Sequence, residues 1–162
     1  MTPGQIRQTV RDFFAVLDSP MQPKERESAL TRVLDRLALA YHSAAGPFDD
    51  TDYADPVAPD AASLRTRIAP LFPDFGWYNE AEEIAGSPGH QGIVVADAIN
   101  DLVDIATDLQ EVLLRWESTS ETDALWHLRF GFESHWGKHL RSLQLYLYAR
   151  EHYPSSRSSS SR

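Results

Sequence analysis

The sequence predicts an all-α fold: a single-domain helical bundle of about five helices, the last two forming a long antiparallel hairpin. Three observations predict it. Apolar residues recur at spacings of three and four through most of the chain. Glycine and proline gather in a few breaks between those runs. With 162 residues, the chain is long enough for one sizeable core and short for two.

The elements follow in order. Thr2, Pro3 and Gln5 supply a cap, a first-turn proline and a capping-box partner, and Ile6, Val10, Phe13, Phe14 and Leu17 then share one face until Ser19 and Pro20 end the helix. A second helix, from about Pro23 to Ser43, buries Leu30, Val33, Leu34, Leu37 and Tyr41 and carries its charges, Arg26 among them, elsewhere; Gly46 and Pro47 stop it. Residues 46 to 60 hold three prolines and five aspartates and read as a solvated loop. Asp50, Asp52 and Asp55 invite a calcium reading, but an EF-hand needs glycine at its sixth position and glutamate at its twelfth, where this chain has Asp55 and Ala61. A short helix from Ala61 to Leu71, capped by Asp60, leads into an aromatic turn, FPDFGWYNEAEE, expected to cover the end of the core.

Gly86, Pro88, Gly89 and Gly92 lead into a fourth helix placed at Ile93 to Glu117, and Ser120 with Asp123 caps a fifth from Glu121 to about Arg150. The short connection between them requires antiparallel packing, which brings the level of Asp104 to that of His135. Residues 1–153 are thus read as one helical domain and 154–162, PSSRSSSSR, as a disordered tail.

Composition narrows the function. Fifteen Lys and Arg against 24 Asp and Glu give a formal net charge of −9, which argues against nucleic acid and against anionic membrane surfaces. Cysteine is absent, which excludes disulfides, thiolate nucleophiles and zinc–thiolate sites. The N-terminus lacks the pattern of a secretory signal and no apolar run could span a bilayer, so a cytoplasmic location is expected.

Two segments carry the candidate site. Asp97, Asp101, Asp104 and Asp108 repeat at the period of one helix face, opposite Val94, Leu102, Ile105 and Leu109. They read as a solvated acidic face, yet like charges at successive turns repel, so a divalent ion or basic side chains should meet them. The segment Trp126–His139 places Arg129 and Glu133 on a line with Phe132, Trp136, Leu140, Leu143 and Leu147. An inward Arg129 must be paired, with Glu133, Asp104 or Asp108 in reach. Trp136 is expected in the core, and Gly137 is expected to permit close helix approach. His135 and His139, four apart, can share a metal whose third ligand comes from Asp101, Asp104 or His42, while His127 faces away. At least one of the two imidazoles is expected to hydrogen-bond an aspartate of the fourth helix.

The strings DLVDIATDL at Asp101–Leu109 and ALWHLRFGFESHWGKH at Ala124–His139 resemble the hallmark of a bacterial family known as domain of unknown function 5063, a likeness running from the second helix to about Tyr148. Asp101, Asp104, Asp108, Trp126, Arg129, Phe130, Phe132, His135, Trp136, Gly137 and His139 match its motif. The resemblance implies that the aspartate stripe and the Arg/His face form one shared feature, and it brings no activity with it. A looser likeness joins Glu80-x-x-Glu83 and Asp101-x-x-Asp104 to the paired acidic helices of nucleoside triphosphate pyrophosphohydrolases, although Gly86, Pro88 and Gly89 interrupt the first element. Function is therefore read as a cytoplasmic regulatory or protein-binding module without a cofactor, its acidic surface receiving a basic protein partner. The alternative is a hydrolase using Mg, Mn or Zn on Asp101, Asp104, His135 and His139.

Overall fold

A computed structural model describes residues 1–57 and 60–153, and the serine-rich tail predicted to be disordered lies outside them. The first helix, α1 (Pro3–Asp18), begins as its sequence requires: Thr2 accepts from the Gln5 amide while the Gln5 side chain returns to Thr2. Its buried face is Ile6, Val10, Phe13, Val16 and Leu17, with Phe14 edge-on to Phe13 at the margin. Helix α2 (Pro23–Ser43) lies against α1 through Leu30, Val33, Leu34 and Leu37. Arg26, predicted among the outer charges, is instead 5% exposed. Its guanidinium donates to the carbonyls of Val16, Leu17 and Ser19, satisfying the last turn of α1 from the neighbouring helix.

Asp60 caps α3 (Ala61–Ile68), and a single 3₁₀ turn, Ala69–Leu71, closes it. The first departure from an all-α fold comes next. Strands β1 (Trp77–Ala81) and β2 (Ile93–Asp97) pair antiparallel, Trp77 opposite Asp97 and Ala81 opposite Ile93. Residues 93–97 were expected as the first turn of a helix. The β-branched run Ile93-Val94-Val95 is stiff at χ1 and fits a pleated strand better than a helix, and Trp77 and Tyr78 give it an aromatic partner. Helix α4 therefore starts five residues later, at Ala98, and runs to Ser118; Asp97 is its N-cap, its carboxylate accepting from the Ile99 amide at 2.9 Å.

The long C-terminal helical run returns antiparallel along α4, as Arg115–Asp123, Asp108–His135 and Asp101–His139 show by their descending and ascending numbers. It is not one uniform helix. Helix α5 (Glu121–Gly131) passes through a widened π turn at Phe132–Trp136 into α6 (Gly137–His152), and the Gly137 amide donates to the Phe132 carbonyl five residues back. The core line explains the turn. In α5 it runs through Leu125 and Leu128, and unbroken α period would carry it to 132, 135 and 139. One extra residue in the turn hands it to Trp136, Leu140, Leu143 and Leu147 and rotates His135 and His139 off the core, onto the edge facing α4. Gly137 is obligatory here for a different reason from the one expected. A Cβ would collide with the Phe132 carbonyl and lie 2.8 Å from the Phe132 ring, within the same turn and not on a second helix. Trp136 is fully buried, edge-on to Phe132. No helix among the described residues is long and apolar enough to cross a membrane.

Candidate functional site

The π turn and the register of α4 bring five of the predicted residues into one seam. His135 Nδ1 lies 2.8 Å from Asp108 Oδ2, and His139 Nδ1 lies 2.8 Å from Asp101 Oδ1. A carboxylate only accepts, so both rings carry their proton on Nδ1 and turn Nε2 away from it. Asp104, between the two aspartates, stands 3.6 Å from His139 Nε2. The rings are 5.0 Å apart, and one donor atom from each of Asp104, His135 and His139 lies within 4.8 Å of the others. The outer carboxylates are sheltered: the Asp101 side chain is 7% exposed and that of Asp108 23%, against 36% for Asp104.

The acidic face predicted to be solvated is therefore answered within the chain. Asp97 caps α4 and pairs with Arg65 at 2.7 Å, Asp101 is buried between His139 and the Tyr78 hydroxyl, and the histidines meet the rest. Amphipathicity misread it because a stripe at a helix–helix seam looks the same in sequence as one in water. Arg129 and Glu133 are not brought to the site. The Arg129 side chain is 39% exposed and 3.9 Å from Glu133, which accepts from the Tyr41 hydroxyl on the other side of the run. The predicted buried pair relied on a straight α projection through Phe132, and the π turn breaks that projection between Glu133 and Trp136. His42 is exposed and stands outside the cluster. His127, expected to face away, is partly buried between Asp123 at 3.5 Å and Glu111 at 3.7 Å, and burial pushes its pKa down.

Two side chains that the sequence did not single out hold the seam. Tyr78 reaches it from β1, and Arg115 sits buried below it, donating to Glu111, Asp123 and Asp55. A signal for Arg115 existed, since Glu111 precedes it by four on the same helix. None existed for Tyr78, which depends on a strand that was read as a turn. Glu80 also lies on β1, engaged with Ser142 and with Lys138 at 3.6 Å, and Glu83 follows in the loop, so no paired acidic helix of the pyrophosphohydrolase kind forms. Hollows flank the histidines on both sides. One of about 210 Å³ is lined by Trp77, Asn100, Asp104 and His139, and one of about 240 Å³ by Glu111, Phe130, Ser134 and His135.

The hydrogen bond that His139 donates to Asp101 holds the imidazole pKa above its ordinary range, with burial opposing. Burial raises the Asp108 carboxyl, with His135 opposing. For the metal-free protein the sign follows from His139. A raised folded pKa gives stability that is fully present below about 6.5 and is lost as pH rises through the folded value. Urea midpoints measured upward from pH 6 should fall in the wild type and stay flatter in His139→Gln; parallel profiles would show that the pair contributes nothing.

Fold and site together define a mostly helical protein with a histidine–aspartate seam between its last two long helical runs. The chain belongs to the family described as domain of unknown function (DUF5063), whose model matches residues 5–150. That span begins in α1, earlier than the second helix at which the resemblance was drawn. The structure is similar to the crystal structure of protein BF1032 from Bacteroides fragilis, with a TM-score of 0.74 at 18% identity over 94% of this chain and 93% of that one, a likeness of fold alone. No curated protein matches the sequence.

Proposed function

We propose that this protein binds a divalent transition metal, zinc foremost, through Nε2 of His135 and His139 and the carboxylate of Asp104, and that it uses the metal for hydrolytic chemistry. One observation carries the reading: each histidine gives Nδ1 to its own sheltered carboxylate, while Nε2 of His139 stands 3.6 Å from a third, more exposed carboxylate, Asp104, and a ring nitrogen of His135 lies within 4.8 Å of both. Carboxylate–histidine–metal relays are built this way, because the outer carboxylate fixes the tautomer and raises the basicity of the ligating nitrogen. With bonds of about 2.0–2.1 Å, tetrahedral donors stand about 3.3 Å apart. The His139–Asp104 distance of 3.6 Å already approaches that value, and side-chain rotation can close the remainder.

Donor chemistry favours zinc over magnesium, since imidazole suits the former and the latter takes oxygen ligands. Three protein ligands leave a coordination position for water, whose pKa on zinc falls to about 7. The bound metal would supply that acidified water; the chain's own residues hold the ligands in place and shape the two hollows beside them. The offset that the acidic stripe needs then comes from histidines and a cation and not from a basic partner protein.

Calorimetric titration is the test. One equivalent of zinc should bind the wild type, manganese more weakly and magnesium least. Asp104→Asn and His135→Ala should each weaken zinc by at least about tenfold, the scale on which even outer partners of such sites act. Equal zinc isotherms in wild type and both variants would overturn the assignment.

A further inference from the structure

The β-hairpin reaches the seam at one atom. Tyr78, partly buried on β1, donates its hydroxyl to Asp101 Oδ2, and the other oxygen of that carboxylate holds His139 Nδ1. The chain of contacts runs from strand to α4 to α6, and its middle member is buried, so Asp101 has little water to fall back on. Burial and the neighbouring Asp101 drive the Tyr78 pKa far up, which keeps the hydroxyl a donor.

The hairpin does not need this bond to stay where it is. The Gly76 amide donates to the Tyr146 hydroxyl at 3.0 Å, the Ala98 amide to the Gly76 carbonyl at 3.2 Å, and Ser142 and Lys138 both engage Glu80. The Tyr78 ring also packs on Tyr146, centroids 5.1 Å apart. With placement secured elsewhere, the hydroxyl donates to Asp101, the carboxylate that orients a ligand, with the Ser142 side chain beside it.

We propose that Tyr78 is a positioning residue of the metal centre, aligning the His139 imidazole through Asp101. This rests on the metal reading above. Without the hydroxyl, Asp101 Oδ2 is left buried without its donor and the carboxylate is free to rotate, which releases His139 from the one orientation that presents Nε2 to Asp104.

Cobalt(II) titration of the full chain, followed by visible absorption, tests it, because the ligand-field bands report the geometry at the metal and a purely structural role would leave them unmoved. Tyr78→Phe is expected to weaken cobalt about tenfold and to shift the bands. Tyr146→Phe, which takes the hydroxyl from the Gly76 amide but keeps the ring, loosens the hairpin elsewhere and should leave both unchanged. Asp101→Asn should weaken cobalt at least as much, and adding Tyr78→Phe to it should cost nothing further, since the two act in series. Wild-type affinity and bands in Tyr78→Phe, or an undiminished Tyr78 effect in the Asp101→Asn background, would overturn the proposal and leave the metal site standing. A wild type that binds no cobalt would remove both.

Discussion

Gly137→Ala should lower stability by about 3 kcal/mol, the upper end for forcing a group into a filled site. For a chain of this length that is a fall in melting temperature of roughly 6–12 °C. The sign is the informative part. Alanine in place of glycine ordinarily stabilises a helix, by about 0.8–1.0 kcal/mol. At Gly4, in the first turn of α1, an added Cβ meets nothing, and Gly4→Ala should behave in that ordinary way. At Gly137 the added carbon runs into the Phe132 carbonyl that closes the π turn, so the turn must open or the helix must re-register. Either outcome moves His139, two residues on. On the proposed metal reading, Gly137→Ala should therefore also weaken zinc binding, whereas Gly4→Ala should leave it as in the wild type. Chemical denaturation of the two variants side by side measures both signs, and a stabilised Gly137→Ala would show that the turn is not fixed by its glycine.

Arg115→Ala should cost about 3 kcal/mol or more, as expected when one partner of a buried ion pair is removed. The Arg115 side chain is 6% exposed and the Asp123 side chain 7%, so truncation strands a buried carboxylate whose other neighbours are the Thr119 hydroxyl and His127. The same guanidinium ties the 46–57 loop to α4 through Asp55. That arm contributes little by itself: Asp55 is 88% exposed, and Asp55→Asn should stay within about 0.5 kcal/mol of the wild type. The contrast separates burial from charge, since Arg115 touches both carboxylates. Similar losses from both substitutions, by urea unfolding, would show that the loop contact and not the buried pair is what Arg115 supplies.

Much of the fold could be read from spacing and caps. The capping box at Thr2 and Gln5, the bounds of α2 and the Ser120 cap are local features that depend on no distant contact. The hairpin was missed because Ile93-Val94-Val95 is too short a run to separate strand from helix by period, and the glycine-rich segment before it reads as a lead into either. The site was half legible. Antiparallel register brought both histidines to the aspartates of α4, but it set His135 level with Asp104, and the structure pairs it with Asp108, one turn further along, while His139 meets Asp101. Arg129 and Glu133 were misplaced because a single inserted residue in the π turn turns everything after it by about 100°. No period measured on either side of that turn reveals it. Gly137, two residues before His139, is the one trace it leaves in the sequence.

The central claim is that two histidines ligate one metal through Nε2 while Asp101 and Asp108 hold their Nδ1 protons, and nitrogen-15 NMR of the imidazoles reads both nitrogens directly. In the metal-free protein the Nδ1 of His135 and of His139 should each carry its proton toward an aspartate. One equivalent of zinc should then move both Nε2 resonances together into the metal-bound range, with both Nδ1 protons retained. Ring nitrogens of His135 and His139 that stay where they were in the presence of zinc would contradict the account and leave the seam as a pair of ion pairs between α4 and the C-terminal helices.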